Sequence, residues 1–198
     1  PDPGGTVSDA RSKAYVQNLT LATIAHEYQH LINASRRMYV NDAVDISEDV
    51  WLNEGLSHIA EELVFYRTSK LGPRQNIDAQ QIPAGSDARL AIEAFQVGNL
   101  GRYVQFLRAL ESTSPIADND LLSTRGASWA FLRYVADRAG ATDGDLWRRL
   151  VNSRSSGVFN LDAVLGPFGM TTLGALRDWS VAVMVDDNAA GLNPALQQ

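Results

Sequence analysis

Hydrophobic positions recur with helical spacing through nearly the whole chain. Leu19, Ile24, Tyr28, Leu31 and Ile32 fall on one stripe, and Val50, Trp51, Leu52, Ile59, Leu63 and Val64 on another, because residues three and four apart share a helix face. Each stretch reads as an amphipathic helix whose apolar stripe turns toward a core. Ser47 is the expected N-cap of the second, with Glu48 and Asp49 in its first turn, where the helix dipole favours carboxylates. Asn18 or Thr20 is expected to cap the first. Asn18-Leu19-Thr20 also fits the glycosylation acceptor pattern, but its place at a helix start favours the cap.

Further along, Gly72-Pro73 and the run Ile82-Pro83-Ala84-Gly85 break regular structure and read as a loop. Ser86 is expected to cap a helix reaching about Val97, and a separate helix runs from Gly101 to Glu111. Leu121 to Ala139 reads as a longer helix stopped by Gly140. Asp145 to Asn152 and Asn160 to Leu165 read as short helices, and Thr172 to Asp186 as a final buried one around Trp179. One short strand is expected near Ala14 to Gln17. The fold class is mainly α, and Trp51, Trp129, Trp147 and Trp179 are assigned to its core.

Composition narrows the partners. The chain has 198 residues, 45% of them hydrophobic and 20% charged, enough for a packed core in one domain or two close lobes. Its net charge of -6 repels phosphate backbones and anionic lipid, so neither nucleic acid nor membrane is an expected partner. The longest apolar run, Val181 to Val185, is far short of the ~20 residues a bilayer crossing needs. With no cysteine, disulfides and thiolate metal ligands drop out. The opening Pro1-Asp2-Pro3-Gly4-Gly5 has no export-signal character, which suggests a processed or excised chain. Asp118-Asn119-Asp120 and Asp186-Asp187-Asn188 match no calcium-loop spacing and read as turns and caps.

Two segments carry chemistry. His26-Glu27-Tyr28-Gln29-His30 has the HExxH spacing, which stacks two imidazoles one helical turn apart, about 6 Å along the axis, so both can converge on one ion. Glu27 is turned about 100° from His26, beside the ion and placed to take a proton from bound water. The second segment is Trp51-Leu52-Asn53-Glu54-Gly55-Leu56-Ser57, in which 23 residues separate His30 from Glu54. That gap suits a helix end, a loop and an antiparallel return. Two histidines and one glutamate leave a fourth tetrahedral position open, as a catalytic zinc site requires.

HExxH followed by NEG resembles the gluzincin zinc metallopeptidases, and the strings HEYQHLIN and WLNEGLS look most like the hyicolysin-related secreted bacterial peptidases. Arg125-Gly126-Ala127-Ser128-Trp129, Phe131-Leu132-Arg133-Tyr134 and Asp178-Trp179-Ser180-Val181-Ala182 resemble the helical half of such an enzyme. The likeness spans about residues 18–187, leaving 1–17 as an extension or β remnant and 188–198 as a tail or linker. It implies a gluzincin-like helical domain with the HExxH helix against the NEG helix. One Zn²⁺ is then expected on His26, His30 and Glu54, with Glu27 as general base and a polypeptide as substrate. A location outside the cell or in a periplasm goes with it.

The chain departs from that pattern in places. Thermolysin-type gluzincins carry an aspartate four residues after the glutamate ligand, where this chain has His58. His58 can be a donor behind a ligand, an oxyanion stabiliser or an exposed imidazole. Glu61 and Glu62 can supply the missing carboxylate, although a solvated acidic face is the expectation. The oxyanion donor is open between Tyr103, Arg125 and His58, with Tyr103 first and a salt bridge the other reading of Arg125; Tyr134 is assigned to the core. Only 25 residues precede His26. The β region of gluzincins is then either outside this chain or shortened into residues 1–17 and 70–85. No aminopeptidase-type clamp motif is present. The rival reading is a non-catalytic zinc-binding or interaction module on a peptidase scaffold.

Overall fold

A computed structural model of the chain describes residues 12–43, 45–75, 77–78, 80–140 and 143–185. Among these residues there is no strand, and the elements are helices α1 (Lys13–Tyr39), α2 (Val50–Ser69), α3 (Asp87–Ala91), α4 (Val97–Leu107), α5 (Leu122–Ala139), α6 (Asp143–Val151), α7 (Gly157–Leu165) and α8 (Thr172–Val185). A π-helical turn, Ile92–Gln96, joins α3 to α4, and a 3-10 turn, Gly166–Phe168, follows α7.

The middle layer is α2, packed between α1 and α5, with α4 on the far side of α5. Trp51, Leu52, Leu56 and Ile59 of α2 join Phe131, Leu132 and Val135 of α5 in the main core. Gly55 lets these two helices approach. A Cβ there would lie 2.7 Å from Leu132 Cδ1 and 3.2 Å from Ser128 Cβ, so the glycine of NEG is required by packing. A second cluster joins Ala22, Phe65, Ala91, Ala94 and Phe95. All four tryptophans are buried, as is Tyr134. Gly140 ends α5 in the left-handed conformation, at φ 64°, where glycine carries no Cβ penalty.

Several expectations are corrected. The apolar stripe of α1 faces outward: Ile24, Tyr28 and Leu31 are all more than half exposed, while Ala22, His26, Gln29, Asn33 and Arg37 form the buried face. Several polar atoms on that face find partners on α2, in the α1–α2 loop and at Ser155 before α7. Asn33 donates to Asn53 Oδ1 at 3.0 Å, and Arg37 to Glu48 Oε2 at 3.2 Å and to the Asp45 and Ser155 carbonyls. The expected strand at Ala14 to Gln17 is helical. Helix α1 starts at Lys13, and its cap is Ser12, whose hydroxyl accepts from Tyr15 N, not Asn18 or Thr20. Thr20 instead donates to the Val16 carbonyl one turn back.

Helix α2 starts after Asp49, so Ser47 and Glu48 precede it. Glu48 is buried instead of standing in the first turn, and it accepts from the Asp49 and Gly157 backbone and from Asn160 Nδ2, tying the loop to α7. The break expected between Val97 and Gly101 is absent. Ser86 caps α3 as expected, accepting from Arg89 N, but helix then continues through the π turn to Leu107. No shortened β region stands among the described parts of 1–17 and 70–85. The proposed tail, 188–198, and the Asp186-Asp187-Asn188 turn lie outside the described residues. Asn119 forms a turn ahead of α5, accepting from Leu121 N and Thr124 Oγ1, while Leu121 is the N-cap and has no side-chain cap bond.

Candidate metal centre

Helix geometry sets His26 and His30 side by side on α1, with ring centroids 4.9 Å apart and planes at 82°. The antiparallel α2 brings Glu54 against both. His26 Nε2 lies 3.5 Å from Glu54 Oε2, and His30 Nε2 lies 3.6 Å from Glu54 Oε1. One ligand atom from each of the three residues lies within 4.8 Å of the others. Bonds of 2.0–2.1 Å at tetrahedral angles put neighbouring ligand atoms about 3.3 Å apart. The two nitrogen–oxygen separations, each to a different oxygen of the carboxylate, are slightly longer than that edge, and two imidazoles with a carboxylate are a donor set suited to zinc. The residues present therefore fit the ion that the sequence implies.

Behind His26 stands Glu61. Its Oε1 accepts from His26 Nδ1 at 2.8 Å and lies 3.3 Å from His58 Nδ1. The expected solvated acidic face is thus corrected. Glu61 is mostly buried and carries the carboxylate that the pattern lacked at position 58, two turns after Glu54, while Glu62 points into the core. Glu62 accepts from Tyr66 Oη at 2.9 Å and Trp129 Nε1 at 3.3 Å. His26, His58 and Glu61 also form a second close group. Its shortest separation, 2.8 Å, is a hydrogen bond and shorter than a tetrahedral ligand edge.

Electrostatics follow this layout. Burial pulls the His26 pKa down, but Glu54 and Glu61 on either side of the ring overcome it and hold it at about 9. Burial pushes Glu61 up, yet His26 and His58 bring it down to about 2. Glu54 is likewise raised by burial and lowered further by His26, Arg125 and His30, for a net shift downward. His58 is 0% exposed, not the exposed imidazole, and burial depresses its pKa. Its Nε2 has no hydrogen-bond partner.

The remaining candidates separate cleanly. Glu27 is exposed, and its charge acts on Arg125. Arg125 Nη1 lies 2.7 Å from Glu54 Oε2, while Nε and Nη2 donate to Asp120 at 2.7 and 2.8 Å. The salt-bridge reading of Arg125 therefore holds, and the bridge includes a candidate ligand. The Tyr103 ring stacks on Phe106 at 6.0 Å, lies 6.5 Å from Trp179, and lines an apolar cavity with Leu100 and Leu107. It belongs to that packing and not to the histidine–glutamate group.

Three neighbours escaped the sequence reading. Ser57 Oγ lies 3.1 Å from His30 Nδ1 and 2.9 Å from Gln29 Oε1, so the serine three residues after Glu54 faces the second histidine. Gln29 lies within the HExxH string itself, and Asp120 five residues before Arg125. Helical spacing was the available signal for Ser57; the other two depend on tertiary contacts. No family model, no curated protein and no solved structure matches this chain.

Proposed function

We propose that this chain is a zinc-dependent peptide-hydrolysing domain, with His26, His30 and Glu54 holding the ion and Glu27 as general base. The observation that carries the reading is the convergence of one ligand atom each from His26, His30 and Glu54 to within 4.8 Å of one another. An ion held there supplies Lewis-acid polarisation of the scissile carbonyl and of the attacking water.

The chain's own residues do the rest. Glu27, exposed and next in sequence to His26, takes the proton of the attacking water and passes it to the leaving amine. Glu61 behind His26 and Ser57 beside His30 hold the imidazoles in orientation. Of the three oxyanion candidates, His58 is sealed in the interior and Tyr103 is engaged in apolar packing, so the proposed donor to the developing charge is Arg125, which would turn Nη1 from Glu54 while Asp120 keeps hold of Nε and Nη2. Its approach to Glu54 brings a cation to the edge of the cluster. The substrate class is a polypeptide.

Metal content and casein cleavage, measured for the chain and for Glu27→Gln, test this. One zinc in both and hydrolysis only in the unmodified chain is the expected result. Zinc in both with cleavage by neither favours the non-catalytic zinc module. Absence of stoichiometric zinc overturns both readings.

A further inference from the structure

A groove of ≈ 630 Å³ lies between α1, α2 and α6, within the roughly 300–1,000 Å³ range of small-molecule sites. Ile32, Leu56, Ile59, Leu63, Val64 and Val151 line it. None of His26, His30, Glu54 or Glu61 does, so it is separate from the metal cluster. Tyr28, on its wall, is 61% exposed and continues onto the outward apolar stripe of α1. Contiguous apolar surface of this kind marks interaction sites.

The polar atoms on the wall are less ordinary. Gln29 is 8% exposed, and its Oε1 accepts from Ser57 Oγ, while its Nε2 has no hydrogen-bond partner. Trp147 is 7% exposed with Nε1 equally unpartnered, and Arg36 Nε is buried without a partner too. All three residues line the groove. Asn152 Oδ1, an acceptor on the same wall, is unpartnered too, but buried polar groups are nearly always satisfied and the spare donors outnumber it three to one, so the wall as a whole is short of acceptors. Charge agrees. Among the described residues, the charged ones lining the groove are Arg36 and Arg148, both cationic, in a chain whose net charge is -6.

We propose that this groove binds an amphiphilic monoanion of the fatty-acid class, its hydrocarbon chain along the apolar wall and its carboxylate facing Arg36 and Arg148. A peptide suits it less well, because backbone N–H and C=O groups laid on that wall would lack partners. A second copy of the chain joined groove to groove would set the same arginines against each other.

Dodecanoate, kept below its micelle concentration, tests the proposal on the full chain. The readout is the indole ¹H–¹⁵N cross-peak of Trp147, identified by its loss in Trp147→Phe. Dodecanoate is expected to shift that peak saturably at one equivalent per chain. Dodecanol, with the same chain and no charge, should bind at least tenfold more weakly. The double variant Arg36→Gln/Arg148→Gln should weaken dodecanoate binding at least tenfold with its unfolding midpoint unchanged. Absence of a saturable shift overturns the proposal. So does equal affinity for acid and alcohol, a comparison on the unmodified chain that stands even if the double variant fails to fold. A peak that moves with protein concentration through dimerisation, and not with dodecanoate, assigns the groove to a second copy and also overturns it.

Discussion

Glu61 Oε1 and His26 Nδ1 are 2.8 Å apart, on the opposite side of the imidazole from the nitrogen that faces Glu54. The ring is held from behind by one carboxylate and presented to another. With its Nδ1–H committed to Glu61, the ring meets a metal through Nε2 once the ion displaces the Nε2 proton, and Glu61 fixes both tautomer and orientation. His58 touches the same Glu61 oxygen from the interior, at 3.3 Å.

Glu61→Gln is therefore expected to weaken zinc binding about 10–100-fold by competition against a chelating dye. The variant should also unfold somewhat more easily in the presence of chelator, because it loses a carboxylate whose pKa His26 and His58 hold at about 2, so the two affinities are compared where both chains are folded. An unchanged zinc affinity would remove Glu61 from the centre.

Arg125 offers a sharper division of roles, since one guanidinium holds both Asp120 and Glu54. For Arg125→Gln we expect casein hydrolysis to fall about 10²–10³-fold, the cost of losing an oxyanion donor, with zinc content unchanged. Loss of zinc in this variant would instead make Arg125 a group that positions Glu54.

Close approach of α2 and α5 sets the third expectation. A methyl at position 55 meets Leu132 Cδ1 at 2.7 Å and Ser128 Cβ at 3.2 Å. Leu132 can rotate in part, but Ser128 is fixed by its bonds to the Pro115 and Thr124 carbonyls. Gly55→Ala should destabilise the fold by about 1–3 kcal/mol, read from denaturant unfolding. A stability equal to that of the parent would mean that the helices separate at little cost.

Much of this was legible in the sequence, and the reasons differ by element. Gly140 and Ser86 announced a helix end and a helix start through local chemistry, which needs no knowledge of neighbours. The HExxH spacing likewise fixed two rings on one face by helix geometry alone. Periodicity did identify a face on α1, but it could not say which way the face turns. That was decided by distant partners: Asn53 for Asn33, Glu48 and Ser155 for Arg37, and Glu61 for His26. The expected gap between Val97 and Gly101 is helical because packing of α4 on α5 outweighs the roughly 1 kcal/mol that each glycine there costs in a helix.

Arg37 and Glu48 form a buried ion pair, 3.2 Å apart and enclosed by the Asp45 and Ser155 carbonyls, Gly157 N and Asn160. Removing the cation alone leaves a carboxylate in the interior, whose pKa burial already raises. Arg37→Met is expected to cost about 3–5 kcal/mol, the usual penalty for breaking such a pair from one side. A small loss in urea unfolding would show that water reaches Glu48.

Glu62 gives the fold a pH dependence of definite sign. Burial is the largest influence on its carboxyl and outweighs the charge of Arg133, with Nη1 4.0 Å away, and the hydrogen bonds from Tyr66 and Trp129, so the pKa stands at about 7 against an ordinary 4.5. A carboxyl raised on folding favours the native state while it is protonated in both states. Its contribution is therefore fully present below pH 4.5, declines as pH rises, and is lost once the pH passes about 7. The span corresponds to on the order of 3 kcal/mol, at about 1.4 kcal/mol per pH unit. Glu62→Gln keeps the shape and removes the titration. Other groups titrate in the same window, so the informative quantity is the stability difference between variant and parent in urea unfolding at a series of pH values. That difference should move in favour of the variant between pH 4.5 and 7 and level off above. A constant difference across the window would mean that Glu62 stays ionised throughout, with Arg133 and its two hydrogen-bond donors compensating fully for the loss of water.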